Sequence, residues 1–536
     1  MAATPAAALE HSPLSNPDIA PIPADRRTWN WWHYCALWIG MSVCITTYTL
    51  ASGLIDSGMS WRQAMVTIFL GNCIVLLPML LNAHAGARYG IPFPVFARAS
   101  FGVLGSNVPA LLRALVACGW FGIQTWIGGA AIYALTRQIW PGVASLPNLV
   151  PGFLGISTGE FAAFLLFWAM NVWFIVKGTE SIKWLESLSA PFLIVVGLAL
   201  LAWANIRAGG WGPILAQPSR FQSQAEFLRV FFPALTAMIG YWATLSLNIP
   251  DFTRYARSQK DQILGQALGL PPTMTLYAFI GVAVTSATAL IFPGGGVIWD
   301  PVKLLSRIGG PFTVMLSMLA LTVATITTNL AANVVSPAND FSNVAPRLIS
   351  FRTGGLITAV IGIVMMPWKL LASSQGYIFT WLVGYSALLG PIGGILIADY
   401  FVLRRRELVV ADLYRRGGLY EYKSGVNPVA IASLAAGVLP NVPGFLAQAF
   451  PAAFPHVAEF WKGVYFYAWF VGFGIAGGLY LALMRGEGGE GGGVKGSFHA
   501  QSRVKASRRR SSTVRDTSVR RLPRSWSSSR RGGARL

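Results

Sequence analysis

The chain has 536 residues, 54% of them hydrophobic and 11% charged, with 41 Lys and Arg against 20 Asp and Glu for a formal charge of +21. Soluble domains carry about 25% charged residues, and a soluble core of this composition would expose large apolar patches, so a water-soluble globule is excluded. Segments of about 20 apolar residues, the length that crosses a hydrocarbon core, recur along the chain. In chain order they fall at 35–55, 64–82, 109–136, 161–176, 187–205, 229–248, 268–292, 311–334, 355–371, 377–403, 428–447 and 463–484. They predict an all-α integral membrane protein of about twelve transmembrane helices. The third and tenth are long enough to require tilt. The domain plan is a cytoplasmic N-terminal segment over 1–27, one membrane domain over 28–485, and a disordered basic Gly/Ser/Arg-rich tail over 486–536.

The N-terminal segment has no basic start followed by a short apolar core, so it does not read as a cleaved signal peptide. All four cysteines (Cys35, Cys44, Cys73, Cys118) fall in or beside apolar spans, where they behave as small apolar residues and not as a disulfide framework. The positive charge has two sources, and neither calls for nucleic acid. The loops expected inside carry Arg88, Arg98, Lys177, Arg254, Arg257, Arg347 and Arg404–Arg406, about twice the load of the loops expected outside. That bias puts both termini on the cytoplasmic side. The tail supplies the rest. It reads either as a polybasic stretch drawn to anionic lipid or, as we favour, as an extension without a role.

Span one, YCALWIGMSVCITTYTLASGL, is interrupted by Gly40-Met41-Ser42. Span six, FFPALTAMIGYWATLSLNIPDF, is interrupted at Gly240 and ends at Pro250. If the first ten spans divide five plus five, these two occupy matching positions, the pattern that marks the binding site of an inverted-repeat transporter. In span three, Trp120 and Gln124 share one helical face. A mid-membrane amide is costly unless satisfied, so Gln124 is either a ligand contact or glue between helices. Span eight carries Thr325, Thr327, Thr328, Asn329 and Asn333. Their hydroxyl and carbonyl oxygens suit a hard monovalent cation, although back-bonding of Thr to the preceding turn is the common alternative. Trp242 lies mid-span beside Gly240, away from the interfacial belts where membrane Trp collects. With Trp120 it could sandwich a flat ring.

The acids Asp56, Glu160, Glu180, Glu186, Asp251, Asp340 and Asp399 fall at span ends or in loops. No carboxylate is expected mid-bilayer, where it would mark a proton relay. This points to a neutral substrate and, more weakly, to Na⁺ over H⁺. No H-E-x-x-H, G-x-S-x-G or P-loop motif occurs, so no enzyme chemistry is expected.

At these residues the chain resembles the nucleobase:cation symporter-1 family, and within it the bacterial allantoin permeases. The likeness runs from about Arg27 to Met484, through TWNWWHYCALWIG, HAGARYGIPFPVFARASFG, GWFGIQTWIGG, WATLSLNIPDFTRYA, TTNLAANVVSPA and ADYFVLRRRELVVADLY. It implies two inverted five-helix repeats, leucine-transporter-like, plus two C-terminal helices, moving by alternating access. It carries the family's substrate contacts onto Trp120, Gln124, Trp242 and Asn333. Its sodium ligands fall on the carbonyls of Gly40, Val43 and Ala324 and the hydroxyls of Thr327 and Thr328. Cys44 stands where a hydantoin-binding relative has a polar glutamine.

The expected function is a symporter for a small planar nitrogen heterocycle, allantoin or a related ureide, in the cell inner membrane. Uracil, cytosine or hydantoin is the alternative of the same class. A passive channel or a membrane-embedded enzyme is the alternative of another class. No cofactor is expected beyond Na⁺ as coupling ion. The expected partners are the heterocycle and the bilayer, and nothing in the pattern asks for more than a monomer.

Overall fold

The computed structural model describes residues 12–177 and 179–490. The start of the predicted N-terminal segment and the tail from 491 onward lie outside the described residues. Among the described residues there are helices, turns and two isolated bridges, Trp29–Ala256 and Lys423–Val426, but no strands.

Among the described residues eight helices are long and apolar enough to cross a membrane, and a bent pair makes a ninth. The eight are Trp61–Tyr89, Asn107–Ile139, Thr158–Lys177, Gln259–Ile291, Pro311–Val344, Gly376–Leu403, Pro428–Ala449 and Ala468–Arg485. The pair, Trp31–Ser42 and Ile45–Asp56, bends by 59°. Three further helical segments complete the predicted order: Thr179–Arg207, Gln224–Tyr241 with Ala243–Asn248, and Phe351–Val364. We number these spans one to twelve in chain order. The outward faces are apolar: Leu77, Leu166, Val195, Leu276 and Phe312 are each more than half exposed, an arrangement that suits lipid and not water.

Local sequence explains the ends. Asn30 with His33 and Ser60 with Gln63 form capping boxes at the starts of spans one and two, satisfying backbone donors that a helix start leaves free. Span nine stops short of the predicted window at Val364, and the chain turns through Met366 (φ 47°) into the short helix Pro367–Leu370. Proline fits a first turn but not a helix interior, which sets the break. The last helix runs to Glu490, so the first residues assigned to the tail continue it.

Small residues let the spans close on one another. A Cβ on Gly122 would come within 2.5 Å of the Gly362 carbonyl oxygen, and one on Gly129 within 2.6 Å of the Phe164 Cα. Span three thus packs against spans nine and four at backbone distance, and it also packs along span eight.

At the end of the bundle where span one starts, the segment before Trp31 forms a strap. The Ile22 N–H donates to Gly90 (2.8 Å) and the Trp29 N–H to Tyr255 (2.9 Å). Tyr414 Oη donates to the Ile19 carbonyl (2.7 Å), Arg254 to the Asp18 carbonyl (2.8 Å) and Asn16 to the Pro346 carbonyl (3.1 Å). The strap therefore touches the chain just after spans two, six, eight and ten.

The same end holds buried charge. Arg113 pairs with Asp340 at 2.5 Å and Arg404 with Asp399 at 2.6 Å, all four side chains almost fully buried. Asp251 accepts from the Phe93 N–H (2.8 Å) and Ser336 Oγ (3.1 Å). These acids do lie near span ends, as the sequence suggested, but they are interior groups and not loop residues. Arg113, on the first turns of span three, had drawn no notice from sequence.

Candidate binding site between the broken spans

A helix that breaks releases backbone groups, and in lipid these persist only where protein or water meets them. In span one the Cys44 N–H turns to the Ser42 carbonyl (3.0 Å) and the Thr47 N–H to the Cys44 carbonyl (3.2 Å). The Gly40 and Val43 carbonyls thereby lose the donor four residues on that an unbroken helix provides. In span six the break falls at Trp242, and the Gly240 carbonyl is met by the Tyr385 hydroxyl at 2.8 Å. A Cβ on Gly240 would lie 2.7 Å from the Leu382 carbonyl oxygen, so glycine is what lets span ten close on this break. Span eight is also broken. Its helix ends at Asn333 and resumes at Val335, an interruption that sequence did not reveal.

The four residues expected to hold a substrate are buried: Trp120, Gln124, Trp242 and Asn333 are 6%, 5%, 4% and 6% exposed. Among the described residues the Gln124 amide has no hydrogen-bond partner, and its polar atoms keep a little open surface. Asn333 donates to Asn329 Oδ1 (3.0 Å). Asn329 in turn donates towards the Phe121 carbonyl (3.3 Å), Thr125 Oγ1 (3.2 Å) and Asn171 Oδ1 (3.2 Å). Asn329 is therefore the glue between spans eight, three and four, and it fixes Asn333 at the break.

The two tryptophans are held differently. Trp242 donates its indole N–H to Asn72 of span two (2.9 Å) and sits edge-to-face with Trp38 at 5.1 Å. Trp120 is ringed by Tyr241, Tyr377, Trp381 and Tyr385, with centroids 5.2–6.4 Å away. Tyr241 touches both indoles. Tyr241, Asn72 and Tyr385 join the candidate site through these contacts, and sequence reasoning missed them. The available signal was the polar aromatic in the Gly240-Tyr241-Trp242 run, which placed a hydroxyl at a break.

The expected cation ligands are brought together in part. Val43 and Ala324 belong to one packed cluster, which seats the span-one break against span eight. Thr327 and Thr328 both donate back to the Ala324 carbonyl, at 2.8 and 3.2 Å. That is the back-bonding alternative, yet it leaves each hydroxyl lone pair open, so the donor set fits a cation held by neutral oxygens. Among the described residues no group of three or more His, Cys, Asp or Glu could hold a metal.

Cavities lie at the end opposite the strap. A cavity of about 830 Å³ is lined there by Trp126, Tyr133, Glu160, Asp300 and Trp368 among others. A smaller one of about 40 Å³ shares Trp126 and Asp300 and reaches Thr49 and Ile127, one turn from Thr46 and Gln124. Burial pushes the Asp300 carboxyl above its usual range, while Lys303 and two backbone amides draw it down.

Comparison with known proteins follows the same lines. The family model for permeases of cytosine/purines, uracil, thiamine and allantoin matches residues 21–472. This chain belongs to that permease family. Its members are transporters, and the permease is a multi-pass membrane protein and not an enzyme. It is 46% identical over 491 residues to a purine-uracil permease of Arabidopsis thaliana, covering 91% of this chain and 80% of the relative. It is 41% identical over 473 residues to the allantoin permease of Bacillus subtilis, covering 88% and 93%. Among solved structures it is similar to Mhp1, a nucleobase-cation-symport-1 family transporter, in a closed conformation with bromovinylhydantoin bound. The TM-score is 0.71 and the identity 27%, over 89% of this chain and 96% of that one. The fold is that of two five-span halves followed by two further spans.

Proposed function

We propose that the permease imports allantoin or a related ureide by sodium symport with alternating access. The Gln124 amide carries this reading. No group of the described chain meets this amide, and a heterocycle's N–H and C=O edge would pair with it. Trp120 and Trp242 offer ring faces, Gln124 and Asn333 the amide edge. Each stacked face contributes about 1–3 kcal/mol and each hydrogen bond about 0.5–1.5 kcal/mol, enough in sum for the roughly −8 kcal/mol of a micromolar site. The carboxylate-free surroundings suit a neutral ligand. The likeness to the Bacillus subtilis allantoin permease supports this substrate.

A second reading, uracil or another nucleobase, is favoured by the likeness to the Arabidopsis thaliana purine-uracil permease. For the coupling ion, the released Gly40 and Val43 carbonyls with Ala324, Thr327 and Thr328 form the sodium site in this scheme. The Arg-rich strap end is taken as cytoplasmic, by the positive-inside bias of Arg88, Arg254, Arg257, Arg347 and Arg404–Arg406. Both termini are then inside and the vestibule of Trp126 and Trp368 faces out, in the inner membrane of the cell. The N-terminal segment over 1–27 and the tail over 486–536 flank the working domain.

Binding of allantoin, uracil and hydantoin to purified protein, with and without sodium, tests the scheme, together with uptake into vesicles. Allantoin should bind best, sodium should tighten it, and uptake should collapse with the ion gradient. If Gln124→Leu and Asn333→Leu bind every candidate as the wild type does, the site lies elsewhere.

A further inference from the structure

Tyr241 has no part in the roles given above, yet its side chain joins the two broken spans. Its hydroxyl oxygen lies 2.8 Å from Thr46 Oγ1, 3.1 Å from Thr47 Oγ1 and 3.4 Å from Cys44 Sγ. The Cys44 sulfur is in turn 3.2 and 3.3 Å from the same two threonine oxygens. All four side chains are buried, and together they form a closed knot. Cys44 stands in extended backbone at the bend of span one, and Thr46 and Thr47 open the helix that follows. The peptide that enters Cys44 carries the Val43 carbonyl, one of the two oxygens that the bend releases. A peptide group is planar, so whatever holds the backbone at Cys44 also aims that carbonyl.

The body of the same side chain reaches the aromatic pair. Its ring centroid is 5.2 Å from that of Trp120 and 4.8 Å from that of Trp242. Trp242 is also its chain neighbour, at the break of span six. We propose that Tyr241 is a positioning residue that couples the cation to the substrate. A sodium ion on the Gly40 and Val43 carbonyls fixes the bend of span one, and the fixed bend seats the Tyr241 hydroxyl. The seated ring then holds both indoles where a heterocycle meets them. The inference rests on the sodium and substrate placements of the proposed function. Any factor that sodium adds to substrate affinity is returned by substrate to sodium affinity, and a group held by both sites can carry it. The helix Pro311–Asn333 offers a parallel route, since it bears Thr327, Thr328 and Asn333. Loss of the Tyr241 hydroxyl should therefore reduce the coupling and not abolish it.

The test is the ratio of substrate affinities in sodium and in choline, measured on purified protein with allantoin and with uracil. Sodium should tighten wild-type binding by about 5- to 150-fold, the usual range of coupling between two sites. Tyr241→Phe keeps the ring and loses the hydroxyl. Its sodium ratio should fall to about the square root of the wild-type value or below, with affinity in choline little changed. Thr46→Val, which removes the nearest partner of the hydroxyl, should lower the ratio in the same way. The double variant should lower it no further than the larger single effect, because both changes cut one link. If Tyr241→Phe does not fold, Thr46→Val decides by the same criterion. The proposal is overturned if these variants keep the wild-type ratio. It is overturned equally if they weaken binding by the same factor in sodium and choline, as a ring that is merely packed would do. Two controls separate this claim from the reading beneath it. A wild type indifferent to sodium removes the sodium site, and the coupling with it. Trp120→Ala binding as the wild type does removes the substrate placement, whatever the sodium ratio shows.

Discussion

Two of the buried polar groups of span three, Arg113 and Gln124, lie about three turns apart, and the protein treats them in opposite ways. Arg113 is paired with Asp340 at 2.5 Å. Gln124, 5% exposed against 1% for Arg113, has no hydrogen-bond partner for its amide among the described residues, and its polar atoms keep a little open surface. A charge cannot be left alone in such a place, because an uncompensated buried ion costs several kcal/mol. A neutral amide can, at a cost a ligand removes on arrival. The contrast sets a charged pair matched within the chain against an amide that the chain leaves open, although Arg113 Nη2 and Asp340 Oδ1 are themselves without a partner.

Breaking the scaffold should have the largest effect. Asp340→Ala leaves Arg113 buried and unpaired and should cost about 3–5 kcal/mol, seen as loss of monodisperse protein or a steep fall in melting temperature. Replacing both partners by leucine should recover much of it. Gln124→Leu should do the reverse. Its melting temperature should stay at the wild-type value while substrate affinity falls by about 1–3 kcal/mol, and the ranking of allantoin, uracil and hydantoin should change. A parallel loss of stability would place Gln124 with the scaffold. Trp120→Ala should cost about 1–3 kcal/mol of affinity, and Trp120→Phe less, because one keeps an aromatic face and the other does not. Both are read by direct binding. Thr328→Ala should blunt the gain in substrate affinity that sodium gives, without changing affinity in its absence. If the wild type shows no such gain, the sodium assignment is wrong. Deleting residues after Gly486 should change uptake least of all, at equal membrane abundance.

The same contrast explains what could be read in advance. Apolar span lengths gave the helices, because lipid forces every spanning backbone to satisfy itself, and that demand is written in runs of hydrophobic residues. The bend of span one and the opening of span six were signalled by Gly40 and Gly240. The break after Asn333 carried no such mark, since Val334 and Val335 are ordinary helix residues in lipid and only the tertiary setting interrupts them. Polar partners were the hardest to foresee. Trp120 and Gln124 declare a shared face through their spacing, but nothing local says that Asn329 belongs to span four's Asn171 and Asn333 to the break. Tyr241 hid for a related reason. Its role depends on Thr46 and Thr47, almost two hundred residues earlier in the chain, and long-range pairing leaves no trace in a window.

The strap over residues 12–29 is fastened chiefly through main-chain atoms. The amides of Ile22 and Trp29 and the carbonyls of Asp18, Ile19 and Trp29 form most of its ties, beside the side chains of Ser12, Asn16 and Arg27. A peptide group is the same whatever side chain it bears. Mutational drift can therefore rewrite much of this segment without moving its path, provided that no proline removes a needed amide. Relatives of this permease could share the strap while sharing few of its letters, and the route of the backbone, not the spelling, is where kinship in this stretch should be sought.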